Sequence, residues 1–92
     1  MGDYDELVET LNQQAEEPVF KSHGIVLLKD YCLIFRDKGP EIIPRERIIS
    51  ITSKPHDEYP DEIINIGLDY EGGAYDFTVF DKETESIVIG YV

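Results

Sequence analysis

Acidic side chains that can do chemistry are concentrated in two groups in the second half of the chain. In residues 57–62 four carboxylates surround one tyrosine, and in residues 69–76 three carboxylates flank a pair of glycines. Such groups can bind a hard cation, act as an acid–base pair on a glycoside, or contact a basic surface. The candidate residues are Asp57, Glu58, Tyr59, Asp61, Glu62, Asp69, Glu71 and Asp76.

The spacing of these acids does not favour metal binding or hydrolysis. His56 lies beside the first group, but the central glycine of a calcium-binding loop is missing. A chain of 92 residues also leaves little room for a sugar cleft between two carboxylates. We therefore predict no metal site, and we expect the acids to form a contact surface with Tyr59 as its best aromatic anchor.

The other reactive side chains lack a catalytic arrangement. Ser22 and His23 are adjacent, and adjacent residues of a strand point to opposite faces. Cys32 lies in an apolar segment and has no zinc-like spacing to His23. The glycines form no phosphate-binding loop. The sequence therefore predicts a protein that is not an enzyme and that uses no cofactor.

Charge is unevenly distributed along this chain of net charge −12. Residues 1–17 carry six carboxylates and no Lys or Arg, and residues 55–92 carry ten carboxylates and one cation. Residues 18–54 carry seven of the eight cations. Negative charge repels nucleic acid and anionic lipid and favours a basic protein surface. Solubility alone or adaptation to high salt would also produce an acidic chain, and the charge does not decide between them.

The cellular compartment is predicted from Cys32 and from hydropathy. A single cysteine cannot form an intramolecular disulfide, so we expect a buried, reduced thiol. The acidic N-terminus lacks the apolar segment of a secretion signal. No apolar stretch approaches the ~20 residues that cross a bilayer. These features predict a cytoplasmic protein that does not contact a membrane.

The first 17 residues have the pattern of an amphipathic helix. Asp3 is a candidate N-cap with Glu6 three residues later, and Pro18 is expected to end the helix. Apolar side chains recur at helical spacing, which indicates a core-facing stripe. They are Tyr4, Leu7, Val8, Leu11 and Ala15.

Residues 19–92 have the pattern of short strands separated by turns. Residues 37–40 form a turn signal, and residues 54–62 are too polar and proline-rich for a central strand. A final apolar strand is expected at 86–92. The chain is therefore predicted to be a single α+β domain over residues 1–92. We expect one N-terminal helix packed on a mostly antiparallel sheet, or a small barrel, of six to seven strands.

The register of one hairpin can be predicted from the pair Gly72-Gly73. If these glycines form a two-residue turn, Asp69 faces Asp76 directly and Leu68 faces Phe77. The face with Leu68 and Phe77 is apolar and is expected to be the core side. Directly opposed carboxylates destabilise a sheet, by up to about 1 kcal/mol. Such a pair suits a face that meets a basic partner, although screening by water explains it equally well.

The middle region contains three apolar strand-like segments, Gly24–Leu28, Tyr31–Phe35 and Ile43–Ile48. Together they resemble the opening strands of pleckstrin-homology and GRAM-like domains. The resemblance covers about a quarter of the chain and implies a small β-rich fold, with an adaptor role in binding a lipid headgroup or a peptide. The helix here is N-terminal and no closing C-terminal helix is evident. The first hairpin offers only the cations Lys21, Lys29, Arg36 and Lys38.

Three functions follow as hypotheses. The first is a non-enzymatic acidic binding module, for example an inhibitor or nucleic-acid mimic of the phage anti-defence or immunity-protein type, that docks on a basic protein. A nucleic-acid-binding protein would suit as its partner. The second is the adaptor that the resemblance implies. The third is a structural subunit, or homodimer, assembled through an exposed strand at 86–92.

Overall fold

A computed structural model describes the backbone of residues 2–92 and the side chains from Tyr4 onward. Within these residues, helix α1 (Gly2–Ala15) precedes seven strands and helix α2 (Lys82–Ile89) follows them. A 3-10 helix, Arg45–Arg47, lies between the fourth and fifth strands. The strands are β1 (Phe20–Lys21), β2 (Ile25–Leu27), β3 (Tyr31–Arg36), β4 (Gly39–Pro44), β5 (Ile48–Pro55), β6 (Ile64–Tyr70) and β7 (Gly73–Val79).

The strands form two sheets that belong to two compact units of the chain. The first unit ends at Arg45 and the second begins at Glu46. The first contains α1 and a four-stranded sheet in the order β1-β2-β3-β4, and the second contains a three-stranded sheet in the order β5-β6-β7 and α2. All neighbouring strands are antiparallel. The predicted α+β class is confirmed, and the single domain over residues 1–92 stays a prediction.

The first sheet is apolar on both faces at its centre. Val26, Leu33 and Ile42 are cross-strand partners on one face, and Leu27, Cys32 and Ile43 are partners on the other. All three residues of β2 are buried. The buried side chains of this unit are Ile25, Val26, Leu27, Leu28, Cys32, Ile34 and Ile43.

Helix α1 ends close to its predicted boundary. Its last regular residue is Ala15, and the N–H groups of Glu16 and Glu17 bond to carbonyls three residues earlier before Pro18. The Gln14 side chain holds the helix to the β2–β3 turn, because its Nε2 donates to Asp30 Oδ2 at 2.8 Å and its Oε1 accepts from the Asp30 N–H at 2.9 Å. The predicted capping role of Asp3 lies outside the described side chains. The predicted core-facing stripe is wrong, because none of its five residues is buried and Tyr4 is 72% exposed.

The second sheet is apolar on one face only. Along β6, alternate residues are buried on one side, and β5 has a bulge that leaves Ile49 without a ladder partner. The bulge lets Ile48 turn into the core while the Ile49 side chain remains 64% exposed. The buried side chains of this unit are Ile48, Ile66, Leu68, Tyr70, Val79, Val88 and Tyr91.

The predicted register of the β6–β7 hairpin is wrong by two residues, because Asp69 pairs with Ala74 and not with Asp76. The turn residues are Glu71 and Gly72, and Tyr70 pairs with Gly73. Gly72 adopts φ +105°, whereas Gly73 lies in the strand under the Tyr70 ring, where an added Cβ would come 2.9 Å from the Tyr70 hydroxyl. The two glycines therefore have different roles, one in the turn and one in cross-strand packing. The predicted assignment of residues to faces is nevertheless correct.

The predicted C-terminal strand at 86–92 is wrong, because this segment contains helix α2. Asp81 caps the helix: its Oδ1 accepts from the Thr84 N–H at 2.7 Å and its Oδ2 accepts from Thr84 Oγ1 at 3.0 Å. Val88 and Tyr91, three residues apart, are buried. A short apolar run fits both helical and strand periods. The hypothesis of a structural subunit or homodimer was based on an exposed strand at 86–92, and this strand is not present.

Candidate functional site

The second sheet has a polar face, which we call the open face. Its residues lie in three cross-strand rows on the side opposite Ile66 and Leu68. Among the nine residues of these rows, no apolar side chain is larger than that of alanine and none is buried. The rows are Ser50–Asp69–Ala74, Thr52–Gly67–Asp76 and Lys54–Asn65–Thr78.

Gly67 makes a depression at the centre of the open face. It lies in the middle strand, and a Cβ placed on it would come 3.3 Å from Thr52 Oγ1 and 3.5 Å from Asp76 Oδ1. A glycine inside a strand often marks a point where a ligand or another backbone approaches closely. The depression is part of a cavity of about 720 Å³. Its lining also includes the polar residues Ser53, Lys54, Asn65 and Thr78 and the apolar residues Ile66 and Phe77. We call this cavity the trough.

The charges of the open face are separated along it. Asp69 and Asp76 lie towards the β6–β7 turn, and Lys54 lies in the row farthest from that turn. Asp69 pairs with Ala74 and Asp76 pairs with Gly67, so the two carboxylates are diagonal neighbours and the predicted direct opposition is wrong. Diagonal neighbours are about 7–8 Å apart. Ser50 Oγ donates to Asp69 Oδ2 at 3.4 Å.

Residues 56–63, which we call the acidic loop, are held by hydrogen bonds of their own. His56 Nδ1 accepts from the N–H groups of Glu58 and Tyr59 at 3.1 and 3.2 Å, and the two rings are 5.8 Å apart between centroids. The backbone N–H of His56 donates to the backbone carbonyl of Ile63 at 3.0 Å, which closes the loop. The acidic side chains of Asp57, Glu58, Asp61 and Glu62 are exposed around this frame.

The predicted site residues do not form one continuous surface. The acidic loop precedes β6, and Glu71 lies in the turn that follows it. β6 has seven residues, and at about 3.3 Å per residue it spans roughly 20 Å. Asp69 and Asp76 lie near the Glu71 end. The eight candidates are therefore divided into one group on and beside the open face and one group at the opposite end of the sheet.

A smaller cavity at the loop end contains an aromatic residue that the sequence analysis missed. Phe80 is 70% exposed and lines a cavity of about 450 Å³ together with Asp61, Glu62, Pro60 and Glu85. Its position immediately after Val79 places it out of phase with the buried residues of β7. A large apolar residue at such an outward position was the available signal for an exposed aromatic side chain.

Metal-ligating and nucleophilic groups are not assembled in the described part of the chain. No three side chains of the His, Cys, Asp and Glu types that the structure describes lie close enough to hold a metal ion. Cys32 is buried, as predicted, and burial together with the nearby Glu41 carboxylate raises the pKa of its thiol to about 12. The thiol is therefore protonated at neutral pH, which makes it a poor nucleophile.

The cations of the middle region have mixed surroundings. Arg36 Nε lies 3.0 Å from Glu41 Oε1, and Arg45 Nη1 donates to the Lys29 carbonyl at 2.9 Å. The first contact pairs two residues of the middle region with each other. Among the described residues, neither helix has the length and apolar content needed to cross a membrane.

Comparison with known proteins adds no family to these observations. The chain matches no protein-family model, no curated protein and no solved structure.

Proposed function

We propose that this protein is a non-enzymatic acidic binding module that docks on a basic protein surface through the open face of its second unit. The observation that carries the proposal is the combination of charge and shape on that face. It presents Asp69 and Asp76 beside a glycine-floored trough, and it has no buried side chain. The sheet is held together by its other face, so the open face is free to make contacts.

The charge of the second unit supports a basic partner. Residues 46–92 carry eleven carboxylates and three cations. Complementary charge raises the rate of encounter and disfavours acidic partners. Glu71, at the hairpin turn, extends the acidic end of the open face. The acidic loop, roughly 20 Å away along β6, supplies a separate contact with Tyr59 and Phe80 as exposed aromatic anchors.

The form that fits this charge best is an antagonist that occupies a nucleic-acid-binding surface. DNA presents one negative charge per ~1.7 Å of helix axis, and its protein partners bind it with lysine and arginine clusters. An exposed acidic face competes for the same side chains. By analogy of size and charge, this protein would act like small acidic antagonists of the phage anti-defence or immunity type.

A charge-reversal experiment tests the proposal. Asp69, Glu71 and Asp76 are replaced by Lys, and binding of a labelled oligoarginine peptide is titrated at low and at high salt. We expect the wild type to bind at low salt and the variant to lose affinity roughly tenfold or more. The matched control replaces Asp5, Glu6 and Glu9 of α1 by Lys, which changes the net charge equally, and we expect it to bind much like the wild type.

Two outcomes would contradict the proposal. A wild-type protein that does not bind the cationic peptide at low salt has no docking surface for a basic partner. Equal losses in the open-face and α1 variants would mean that binding follows net charge alone and that the open face is not the site.

A second candidate function is the PH-like adaptor, and helix α2 is the observation that favours it. The resemblance of the opening strands implies a closing C-terminal helix, and the chain has a helix at Lys82–Ile89. Binding to anionic liposomes that depends on Lys29, Arg36 and Lys38 would support this function. The contact between Arg36 and Glu41 argues against it, because the guanidinium already has a carboxylate partner.

A further inference from the structure

We propose that the trough over Gly67 is a subsite for one arginine side chain of the basic partner. This inference rests on the proposed function and names the group that the open face recognises. The arginine head would lie over the Gly67 backbone, between Asp76 on one neighbouring strand and Thr52 on the other, with Asp69 two residues along β6 towards the turn.

The shape of the trough favours a flat group. Gly67 is the central residue of the Thr52–Gly67–Asp76 row, so the floor at this point is bare backbone between two side chains. Thr52 Oγ1 and Asp76 Oδ1 approach the position of the missing Cβ from the two neighbouring strands, at 3.3 and 3.5 Å. A planar guanidinium can lie over such a floor and reach both walls, whereas a bulky apolar group would leave these oxygens without partners.

The hydrogen-bonding groups of the trough complement arginine. A guanidinium has five N–H donors and no acceptor, and the trough offers carboxylate, hydroxyl and amide oxygens from Asp69, Asp76, Thr52 and Asn65. Ser50 Oγ lies 3.4 Å from Asp69 Oδ2, so this carboxylate keeps acceptor capacity for a ligand. Anionic ligands are repelled by the two aspartates. A lysine ammonium is a compact, strongly hydrated charge with three donors, and it matches a spread set of acceptors less well.

Lys54 gives the subsite a direction. It lines the same trough in the row farthest from the β6–β7 turn, while Asp69 and Asp76 lie nearer that turn. A cationic head is repelled from the Lys54 end and attracted to the aspartate end. The aliphatic stem of the arginine would therefore enter from the Lys54 side or from above, with the head towards the turn.

The test compares oligoarginine and oligolysine peptides of equal length and charge by titration calorimetry at low salt. We expect the wild type to bind the arginine peptide about tenfold more tightly, as charge-assisted hydrogen bonds in a fixed geometry allow. Gly67→Val fills the trough without changing the charge and should abolish the preference for arginine while leaving the lysine peptide bound. Ala74→Val adds the same kind of bulk on the open face outside the trough lining and should keep the preference.

Asp76→Asn provides a second variant with little change in size, so the test does not depend on how well Gly67→Val folds. It should reduce the arginine preference because it replaces one acceptor oxygen with a donor amide. Equal binding of the two peptides by the wild type would overturn the subsite. An arginine preference that survives both Gly67→Val and Asp76→Asn would also overturn it. Either result would leave the proposed function standing. Binding of neither peptide would overturn the proposed function itself.

Discussion

The central cross-strand row of the first sheet is Val26, Leu33 and Ile42, and a corresponding row of the second sheet is Thr52, Gly67 and Asp76. Each row lies on the face opposite a row of buried residues. In the first sheet the row is apolar, and Val26 is itself buried. In the second sheet the row consists of a hydroxyl, a bare backbone and a carboxylate.

The two rows differ in how much they can contribute to the stability of the fold. Antiparallel sheets can be stabilised by burial of one face while the other meets water. The first sheet has apolar side chains on both faces, and on its less buried face Val26, Leu33 and Phe35 line a cavity. The second sheet uses one face, so its polar residues contribute little to stability and are available to a partner.

The largest effect is expected from neighbouring residues of β6 that lie on its two faces. Leu68 is fully buried and Asp69 is exposed. Leu68→Ala should lower the free energy of unfolding by about 2–5 kcal/mol, because it leaves a cavity in the core. Asp69→Ala should change it by no more than about 0.5 kcal/mol. Urea denaturation measures both, and comparable losses would mean that the open face also holds the fold together.

A smaller effect is expected from exchanging apolar and hydroxyl groups between the two rows. Leu33→Thr should lower the free energy of unfolding by roughly 1 kcal/mol, since it removes apolar area from a half-buried side chain. Thr52→Val, the reverse exchange, should be almost neutral, because the Thr52 hydroxyl makes only a 3.5 Å contact to the Gly67 carbonyl. Thermal unfolding of both variants checks the pair, and a destabilising Thr52→Val would contradict the comparison.

The smallest effect concerns the N-terminus of α2. Hydrogen bonds from the backbone and side chain of Thr84 lower the pKa of Asp81. The contribution of this carboxylate to stability is therefore present above the ordinary aspartate pKa and is lost as the pH falls through the lowered value in the folded state. Asp81→Asn keeps a capping oxygen but lacks the negative charge. The variant should therefore be less stable than the wild type at neutral pH, and the two should become equally stable in strong acid.

Urea midpoints across that pH range measure the convergence. A constant difference between wild type and Asp81→Asn would show that the charge of Asp81 is not coupled to folding. Asp81→Ala, which removes the cap, is expected to be less stable than Asp81→Asn at every pH.

The predictable parts of the fold are those with strong local signals. The helix before Pro18, the turn after Arg36 and the alternation of β6 and β7 each depend on nearby residues, and each is found in the structure. The burial of the α1 stripe is not found, because burial depends on what packs against the helix. The register of the hairpin required a choice between two glycines, and only the packing of Tyr70 over Gly73 decides it. The segment after Val79 was ambiguous. The three-residue spacing of Val88 and Tyr91 fits a helix, and the run of apolar residues at 86–92 fits a strand equally well.

The candidate site was predictable in its acids and not in its shape. Asp69 and Asp76 were expected on one face, and they lie there. The contribution of Thr52 and Lys54 depends on how β5 pairs with β6 across the intervening loop and past the bulge at Ile49, which no local pattern specifies. Gly67 carried no prediction of its own, although a glycine in a strand is itself a signal of close approach.

Mapping of backbone amide resonances with a labelled sample of this protein tests the central claim most directly. A cationic peptide is added at low salt, and the residues whose resonances move are located on the chain. We expect the shifts to concentrate on the open face, at Ser50, Thr52, Gly67, Asp69 and Asp76. Shifts concentrated on the acids of α1, or spread evenly over both units, would contradict the claim that the open face of the second sheet is the binding surface.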